Sequence, residues 1–392
     1  MHILMIAPEP FFEPRGTPFS EYHRLRALSS MGHTVDLVTY PFGADREIPG
    51  VKIIRTLKPP FLSRVKIGPS WAKVPLDFFL SLTALRVALT GRYDAVHSHE
   101  EGGAIGVVLA WLLGVPHLYD MHSSLPQQIS NFGYEKAKWL AKIFDWLERI
   151  MIRRSQVVIV ICPQLEVAVR EVDTTVPMVL IENAMGSGDA PTPGSGVAIR
   201  ESLGLAPGTP MVLYTGTFEH YQGLDLLFDA MPAVVKARPD VRFVMMGGEP
   251  EQVEAAKARV AAAGIPSSVL FTGQRPASEV PAYLDAADVL VSPRSTGTNT
   301  PLKLYQYLRS GRPIVATRLL THTQVLDDET SILTTPEPAA YAQGILAAVA
   351  DPERSRAIGA RAKAMADEKY SEAAYLAKTR DAMTQLERSR PL

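Results

Sequence analysis

Ser292-Pro293-Arg294-Ser295-Thr296-Gly297-Thr298-Asn299-Thr300-Pro301-Leu302-Lys303 runs on into Leu304-Tyr305-Gln306-Tyr307-Leu308-Arg309-Ser310-Gly311-Arg312-Pro313. The pattern reads as strand end, loop, helix, turn and strand start. Val289-Leu290-Val291 before it is a short buried strand, and the apolar run from Ile314 to Thr317 is the next. Thr300 is a suitable N-cap residue, with Pro301 at the first helical position, where a missing N–H costs nothing. Lys303 then falls in the first turn. A helix N-terminus offers N–H groups and a partial positive charge to an anion, so a lysine beside it fits a diphosphate. An ordinary capped helix of an α/β domain accounts for the same residues, and the stretch alone leaves both readings open.

Working outward, the second half alternates strands and helices: strand 212–215, helix 224–237, strand 241–246, helix 253–263, strand 269–272, helix 280–286 and strand 289–291. The tail from Pro338 to Arg388 has helical character. The first half alternates in the same way, with strands at 3–6, 35–39, 51–54, 94–97, 117–119 and 157–161 and helices at 17–31, 104–113 and 139–154. Such alternation predicts doubly wound parallel sheets, one in each half. The Gly/Pro/Ser-rich run from Gly186 to Gly196 divides them. The expected organisation is an N-terminal Rossmann-like domain at 1–185, a linker at 186–209, a C-terminal Rossmann-like domain at 210–370, and a last helix at 371–392 that packs back toward the N-terminal domain. Two α/β domains of this kind present ligands at the carboxyl ends of their strands, here expected to face each other across a cleft.

The 392 residues exceed what one core ordinarily supports. Lys+Arg of 40 against Asp+Glu of 41 leaves no basic excess, which argues against a nucleic-acid partner. One cysteine, Cys162, permits no intrachain disulfide and suits a reducing, cytoplasmic setting. It closes the apolar run Val157–Ile161 and reads as a buried structural thiol. Ile3-Leu4-Met5-Ile6-Ala7 is too short for a signal-peptide core and reads as a first strand. The longest apolar run, 104–115, is too short to span a bilayer.

The strand ends carry the chemistry. In the first half they hold Gly16, His97, His99 and His122; in the second, Gly216, Glu219, Gln222, Gly247, Gly248, Arg294 and Lys303. A histidine beside a strand end is a candidate acid, base or donor, and His122, in the polar Met121-His122-Ser123-Ser124 segment, is the best placed. His99 has Glu100 and Glu101 beside it as alternative partners. No metal site is expected. His97 and His99 share a strand face, but nothing supplies a third ligand at a recognisable spacing.

These residues resemble the GT-B glycosyltransferases of the large retaining group called family 4. The likeness covers nearly the whole chain. It is carried by the Gly16 loop and helix to Gly32-His33-Thr34-Val35, by Asp94-Ala95-Val96-His97-Ser98-His99, by Tyr119-Asp120-Met121-His122 and by Ile181-Glu182-Asn183-Ala184. In the second half it rests on Leu213-Tyr214-Thr215-Gly216, Tyr221-Gln222-Gly223-Leu224-Asp225, Val244-Met245-Met246-Gly247-Gly248 and Ser310-Gly311-Arg312-Pro313. The resemblance implies a nucleotide-diphosphate sugar, UDP- or GDP-linked, held mainly by the C-terminal domain. It implies a saccharide or lipid-linked acceptor on the N-terminal domain, with retention at the anomeric carbon and no metal cofactor. His122 and Lys303 take the catalytic roles. Gly16, Gly216, Gln222, Gly247, Gly248, Arg294, Thr298, Asn299, Thr300, Pro301, Leu302 and Gln306 fall on the donor, and Thr17 and His99 on the acceptor.

Four positions depart from the family pattern. Its phosphate-binding arginine and lysine fall at Thr217 and Gln222, and the glutamates of its E-x7-E motif at Thr298 and Gln306. Lys303 and Arg294 remain as cations for the diphosphate. Two other readings follow from these departures: a nucleotide-sugar-binding protein without catalysis, and a GT-B sugar-nucleotide epimerase. The basic, aromatic stretches Lys136–Arg154 and Leu62–Phe79 invite an anionic membrane surface at the inner face of the membrane. For the first, packing of its apolar stripe on the sheet is the ordinary alternative.

Overall fold

The computed structural model describes residues 1–12, 16–60, 62, 73–126, 138–182 and 191–389. They fall into two units, Met1–Asn183 with Ala373–Leu392, and Ala184–Glu372.

In the first unit, β1 (His2–Ala7), α1 (Gly16–Ser30), β2 (Thr34–Thr39), β3 (Val51–Arg55), α2 (Lys73–Thr90), β4 (Ala95–His99), α3 (Gly102–Leu113), β5 (His117–Met121), α4 (Lys138–Arg154), β6 (Val157–Val160), α5 (Pro163–Val172) and β7 (Met178–Leu180) follow in turn. The sheet is parallel throughout, in the order β3-β2-β1-β4-β5-β6-β7. Its central strands are buried along their whole length, as expected where helices cover both faces. The apolar core lies in two patches. Leu4, Val96, Leu76 and Leu80 pack between the sheet and α2; Tyr119, Val158, Met151 and Leu165 pack beneath α4 and α5. Cys162 is buried in the second patch.

The second unit runs α6 (Gly196–Ser202), β8 (Met211–Thr215), α7 (Leu224–Ala237), β9 (Arg242–Met246), α8 (Pro250–Ala262), β10 (Val269–Gly273), α9 (Val280–Ala286), β11 (Val289–Ser292), α10 (Lys303–Ser310), β12 (Ile314–Thr317), α11 (Leu320–Thr323), β13 (Ile332–Thr334), α12 (Pro338–Ala350) and α13 (Pro352–Lys369). The last helix, α14 (Glu372–Arg388), belongs almost entirely to the first unit. The second sheet is also parallel, ordered β10-β9-β8-β11-β12-β13. Both sheets reverse direction beside their first strand, which is the topological switch point of Rossmann-like units.

Two glycines are required by close approach. A Cβ on Gly247 would lie 1.9 Å from the Gly216 carbonyl oxygen, and one on Gly223 would lie 2.1 Å from that of Pro293. Both have positive φ, 119° and 70°. They let the loops after β8, β9 and β11 crowd together at the strand ends.

The quoted stretch departs from expectation at one point. Helix α10 starts at Lys303, and Thr300 does not cap it: the Thr300 hydroxyl is buried without a partner. Pro301 and Leu302 form a tight turn instead. Their carbonyls accept the Leu304 and Tyr305 N–H groups at 3.0 and 3.3 Å. Those two N–H groups are thereby occupied, and the charge at this helix start comes chiefly from the Lys303 side chain.

Candidate functional site

In the second unit the strand ends of β8 and β11 converge on two cations. Lys303 Nζ donates to the Thr215 carbonyl at 3.2 Å and lies 4.0 Å from the centre of the Tyr214 ring. Arg294 follows β11. Its Nη1 donates to the Asn299 carbonyl at 2.8 Å and to Thr321 Oγ1 at 3.2 Å, and its guanidinium sits over Tyr221. Thr321 also donates to the Asn299 carbonyl, and Gln324 to that of Thr298, so the loop is tied down from α11. Burial, and then the Arg294 charge, hold the Lys303 ammonium well below its ordinary range. Burial also lowers Arg294. Among the described residues no carboxylate pairs with either cation. Two part-buried positive groups without a counter-ion make a site for an anion.

The C-terminal members of the predicted donor set lie on the same unit, while Gly16 lies on the first. Gly216, with a φ of 139°, leaves β8 beside Lys303, and a Cβ there would lie 3.5 Å from Nζ. Gly247 and Gly248 leave β9, and the Gly216 N–H donates to the Met246 carbonyl at 3.0 Å. Gln222 ends a short helical turn after β8, with its side-chain oxygen buried and unpartnered. Thr298 and Asn299 line the loop, and Gln306 lies one turn into α10. Tyr307, which the sequence reading passed over, holds the end of β8: its hydroxyl accepts the Thr215 N–H at 2.9 Å. His322 was also passed over. It bridges Ser292 Oγ and the Thr317 carbonyl, and burial pushes it down to about 4, so it is a neutral strut.

In the first unit the strand ends hold a buried ionic network. His97 and His99 stack with centroids 4.7 Å apart, while Ser98 between them turns to the opposite face and meets His117. Asp120, two residues before His122 and therefore on the same strand face, supplies the centre. Its Oδ2 accepts from Arg24 Nε at 2.9 Å and lies 3.5 Å from His97 Nε2; its Oδ1 lies 3.3 Å from His122 Nε2. His122 Nε2 is also 3.1 Å from His99 Nδ1. Burial pushes the Asp120 carboxyl up, but Arg24, His122 and His97 outweigh it and hold it well below the carboxylate range. Burial drives His99 well below its ordinary value. Arg24 is itself held by Thr379 and Tyr375 of α14. Gly16 and Thr17 open α1, the helix that carries Arg24.

The fold brings His97, His99 and Asp120 close enough to hold a metal ion, the third ligand that sequence spacing does not show. The Arg24 guanidinium already occupies one Asp120 oxygen, however. A metal ion there would set a second positive charge against it in a dry interior. The network is better matched to a carboxylate that orients histidines.

The acidic neighbours of His99 pair elsewhere. Glu100 accepts from Ser123 Oγ at 2.9 Å, and Glu101 accepts from Lys73 Nζ at 2.5 Å. Glu100 has a φ of 47°, the one positive value on a non-glycine among the described residues, directly at the strand end.

Two family profiles match the chain: "Glycosyl transferase 4-like domain" over residues 22–184 and "Glycosyl transferases group 1" over residues 209–351. The chain belongs to the group 1 glycosyltransferases. It is 26% identical over 390 residues to the phosphatidyl-myo-inositol mannosyltransferase of Mycobacterium leprae, covering 93% of this chain and 92% of that one. Its fold is similar to that of sucrose-phosphate synthase from Thermosynechococcus elongatus, with a TM-score of 0.79, 20% identity and 98% of each chain covered. It is also similar to Anabaena HepE, solved in complex with UDP, with a TM-score of 0.78, 16% identity, and 98% and 100% covered. The expected two-domain GT-B architecture is therefore the observed one.

Sequence reasoning missed two acidic groups beside the histidine network of this glycosyltransferase. Glu9 and Glu21 are both buried, and burial, then the Glu21 charge, raises Glu9 well above the carboxylate range. Burial above all, with the Asp120 charge, raises Glu21 to about 8, and burial raises Glu100 to about 8. Both carboxyls are raised from an ordinary 4.5, so the folded chain keeps protons that the unfolded chain loses between pH 4.5 and about 8. Stability is full below that window and falls as pH rises through it, by up to about 1.4 kcal/mol per pH unit for each group. Glu21→Gln, which stays neutral, is expected to flatten this fall in urea unfolding measured from pH 5 to 8; an unaltered slope would assign the pH dependence elsewhere.

Proposed function

We propose that this glycosyltransferase moves a hexosyl group from a UDP- or GDP-sugar to a saccharide or lipid-linked acceptor, with retention at the anomeric carbon, in glycan or glycolipid synthesis. The observation that carries the donor is the pair Lys303 and Arg294, two cations on one strand-end cluster with no carboxylate partner among the described residues. A departing nucleoside diphosphate gathers negative charge, and fixed cations stabilise it as it forms. Gly216, Gly247 and Gly248 let the diphosphate approach backbone. Lys303 and Arg294 supply the charge that a divalent ion supplies in other transferases, so the proposed reaction needs no metal. His122 lies against the transferred sugar, and Thr17 and His99 lie on the acceptor side. The UDP complex of HepE and the mannosyltransferase from M. leprae support a nucleotide-sugar donor of this class. The proposed setting is cytoplasmic, at the inner face of the membrane where the acceptor is lipid-linked.

Thermal unfolding in the presence of nucleotide sugars tests the donor. A ligand at a hundredfold excess over its Kd stabilises by about 2.7 kcal/mol, which raises the midpoint by roughly 5 °C. One of UDP or GDP, with or without a hexose, is expected to do so. No shift with any nucleoside diphosphate or its sugars would overturn the reading.

A second reading, binding without catalysis, has a specific observation behind it: Thr217, Gln222, Thr298 and Gln306 stand where the family pattern has charged residues. Donor stabilisation without transfer or slow donor hydrolysis would favour it. Interconversion of the free nucleotide sugar without an acceptor would favour an epimerase.

A further inference from the structure

The helices α2, α3 and α4 form one layer on the first unit, with α3 packed against both of the others. Their inner faces fill the core through Leu76, Leu80, Ala84, Leu109 and Met151. Their outer faces are apolar as well. On α2, Val74, Phe78, Leu82, Leu85 and Leu89 recur at intervals of four, four, three and four, a single stripe, and all are exposed. Val108, Trp111 and Leu112 on α3 and Ile143 and Trp146 on α4 continue it, with Trp111 68% and Trp146 59% exposed. A continuous apolar face of this extent marks an interaction surface.

The charges around the face select its occupant. On these three helices, among side chains the structure describes, the exposed charged residues are Arg86, Lys142, Arg153 and Arg154, all cationic. The acids Asp77 and Glu148 are partly or wholly covered, and Asp145, whose side chain is about half exposed, is paired with Arg149. Of the stretch Leu62–Phe79 singled out in the sequence, residues 63–72 lie outside the described residues, so Arg64, Lys66 and Trp71 do not enter. Apolar and tryptophan side chains fringed by exposed cations, with the one half-exposed acid among the described side chains of these helices already paired, match a lipid surface with anionic headgroups. At its α2 end the face meets a cavity of about 230 Å³, lined in part by Phe78, Ile105, Asp77 and Glu101. Carboxyl groups beside an apolar rim suit the hydroxyls of an acceptor whose tail stays in the lipid.

We propose that the outer face of α2, α3 and α4 docks this glycosyltransferase on an anionic bilayer. The inference deepens the lipid-linked alternative for the acceptor and rests on it only there; docking itself needs no transfer.

Co-sedimentation of the full chain with phosphatidylglycerol–phosphatidylcholine vesicles tests it, with phosphatidylcholine alone as control. The chain is expected to bind the anionic vesicles, and less so as salt rises. Leu82→Ser with Trp111→Ser, both exposed, is expected to lower the bound fraction about tenfold. Arg86→Glu with Lys142→Glu is expected to remove the preference for anionic lipid. Both double variants are expected to keep the thermal shift given by the nucleotide sugar, which shows that they fold. The proposal is overturned if the native chain stays in solution at low salt, or if Leu82→Ser with Trp111→Ser binds as before. It is equally overturned if sedimentation without lipid shows a dimer that this variant dissociates, because a second copy then covers the face. Loss of the nucleotide-sugar shift in the native chain would count against the proposed donor and leave the docking result standing.

Discussion

Replacing Lys303 by methionine is expected to weaken donor binding about a hundredfold, the equivalent of about 3 kcal/mol, without lowering the melting midpoint of the free protein. The two halves of this expectation come from one arrangement. The Lys303 ammonium lies under the β8 strand end, held by one carbonyl and one aromatic face, with Arg294 as its nearest charge. In the free protein the bond to Thr215 and the contact with Tyr214 are worth about 1–2 kcal/mol, and desolvating an unbalanced cation costs a similar amount. Methionine fills the volume, gives up the bond and avoids the desolvation, so the free protein changes little. A diphosphate reverses the sign of the field and draws both cations into charge-assisted bonds. Calorimetric titration of the nucleotide sugar, with parallel thermal unfolding of the free protein, separates the two. A variant that unfolds many degrees early would make Lys303 structural, and one that binds donor as before would remove it from the site. Arg294→Met is expected to cost stability as well, because its guanidinium also ties down the 294–299 loop.

The sheets were legible because their strands are buried on both faces. Val157–Val160, Met211–Thr215 and Val289–Val291 are short, unbroken apolar or β-branched runs bounded by turn residues, and their length separates them from the longer apolar run of α3. The three-residue edge strands Met178–Leu180 and Ile332–Thr334 carry too little pattern to be seen. Helix α2 was missed for a different reason. Leu76, Leu80 and Ala84 face the core while Phe78, Leu82 and Leu85 face outward, so the stretch is apolar all round and its helical period is flat. The feature that hid the helix is the one that marks it as a docking face. At the site, residue type and strand-end position pointed to His122 and Lys303. Spacing did not reveal that Arg24, 96 residues before Asp120 in the chain, would meet it, since helix and strand are brought together only by the crossover. The capping assignment for Thr300 failed because the turn at Pro301–Leu302 used the backbone in its place.

His122→Ala is expected to lower kcat about a hundredfold while the KM for donor moves little, as for a group whose contact strengthens when the sugar carries developing charge. Asp120→Asn is expected to reproduce much of that loss without touching the imidazole. Asp120 is placed to position His122: its Oδ1 faces His122 Nε2 at 3.3 Å, and its Oδ2 is fixed by Arg24. An asparagine keeps the shape but removes the charge, so it leaves the ring less firmly oriented and strands the Arg24 guanidinium in a buried place. The second effect costs stability, about 3–5 kcal/mol for one partner of a buried pair. Stability alone would reduce the amount of active protein and leave kcat per folded molecule unchanged. A positioning role lowers kcat per folded molecule while the KM for donor moves little, because the ring loses the carboxylate that orients it. The double variant decides between the two. If Asp120 works through His122, the losses in kcat are far from additive, and Asp120→Asn adds little once His122 is alanine. Full additivity, with kcat per folded molecule unchanged for Asp120→Asn, would assign Asp120 to the fold and leave His122 to act without it.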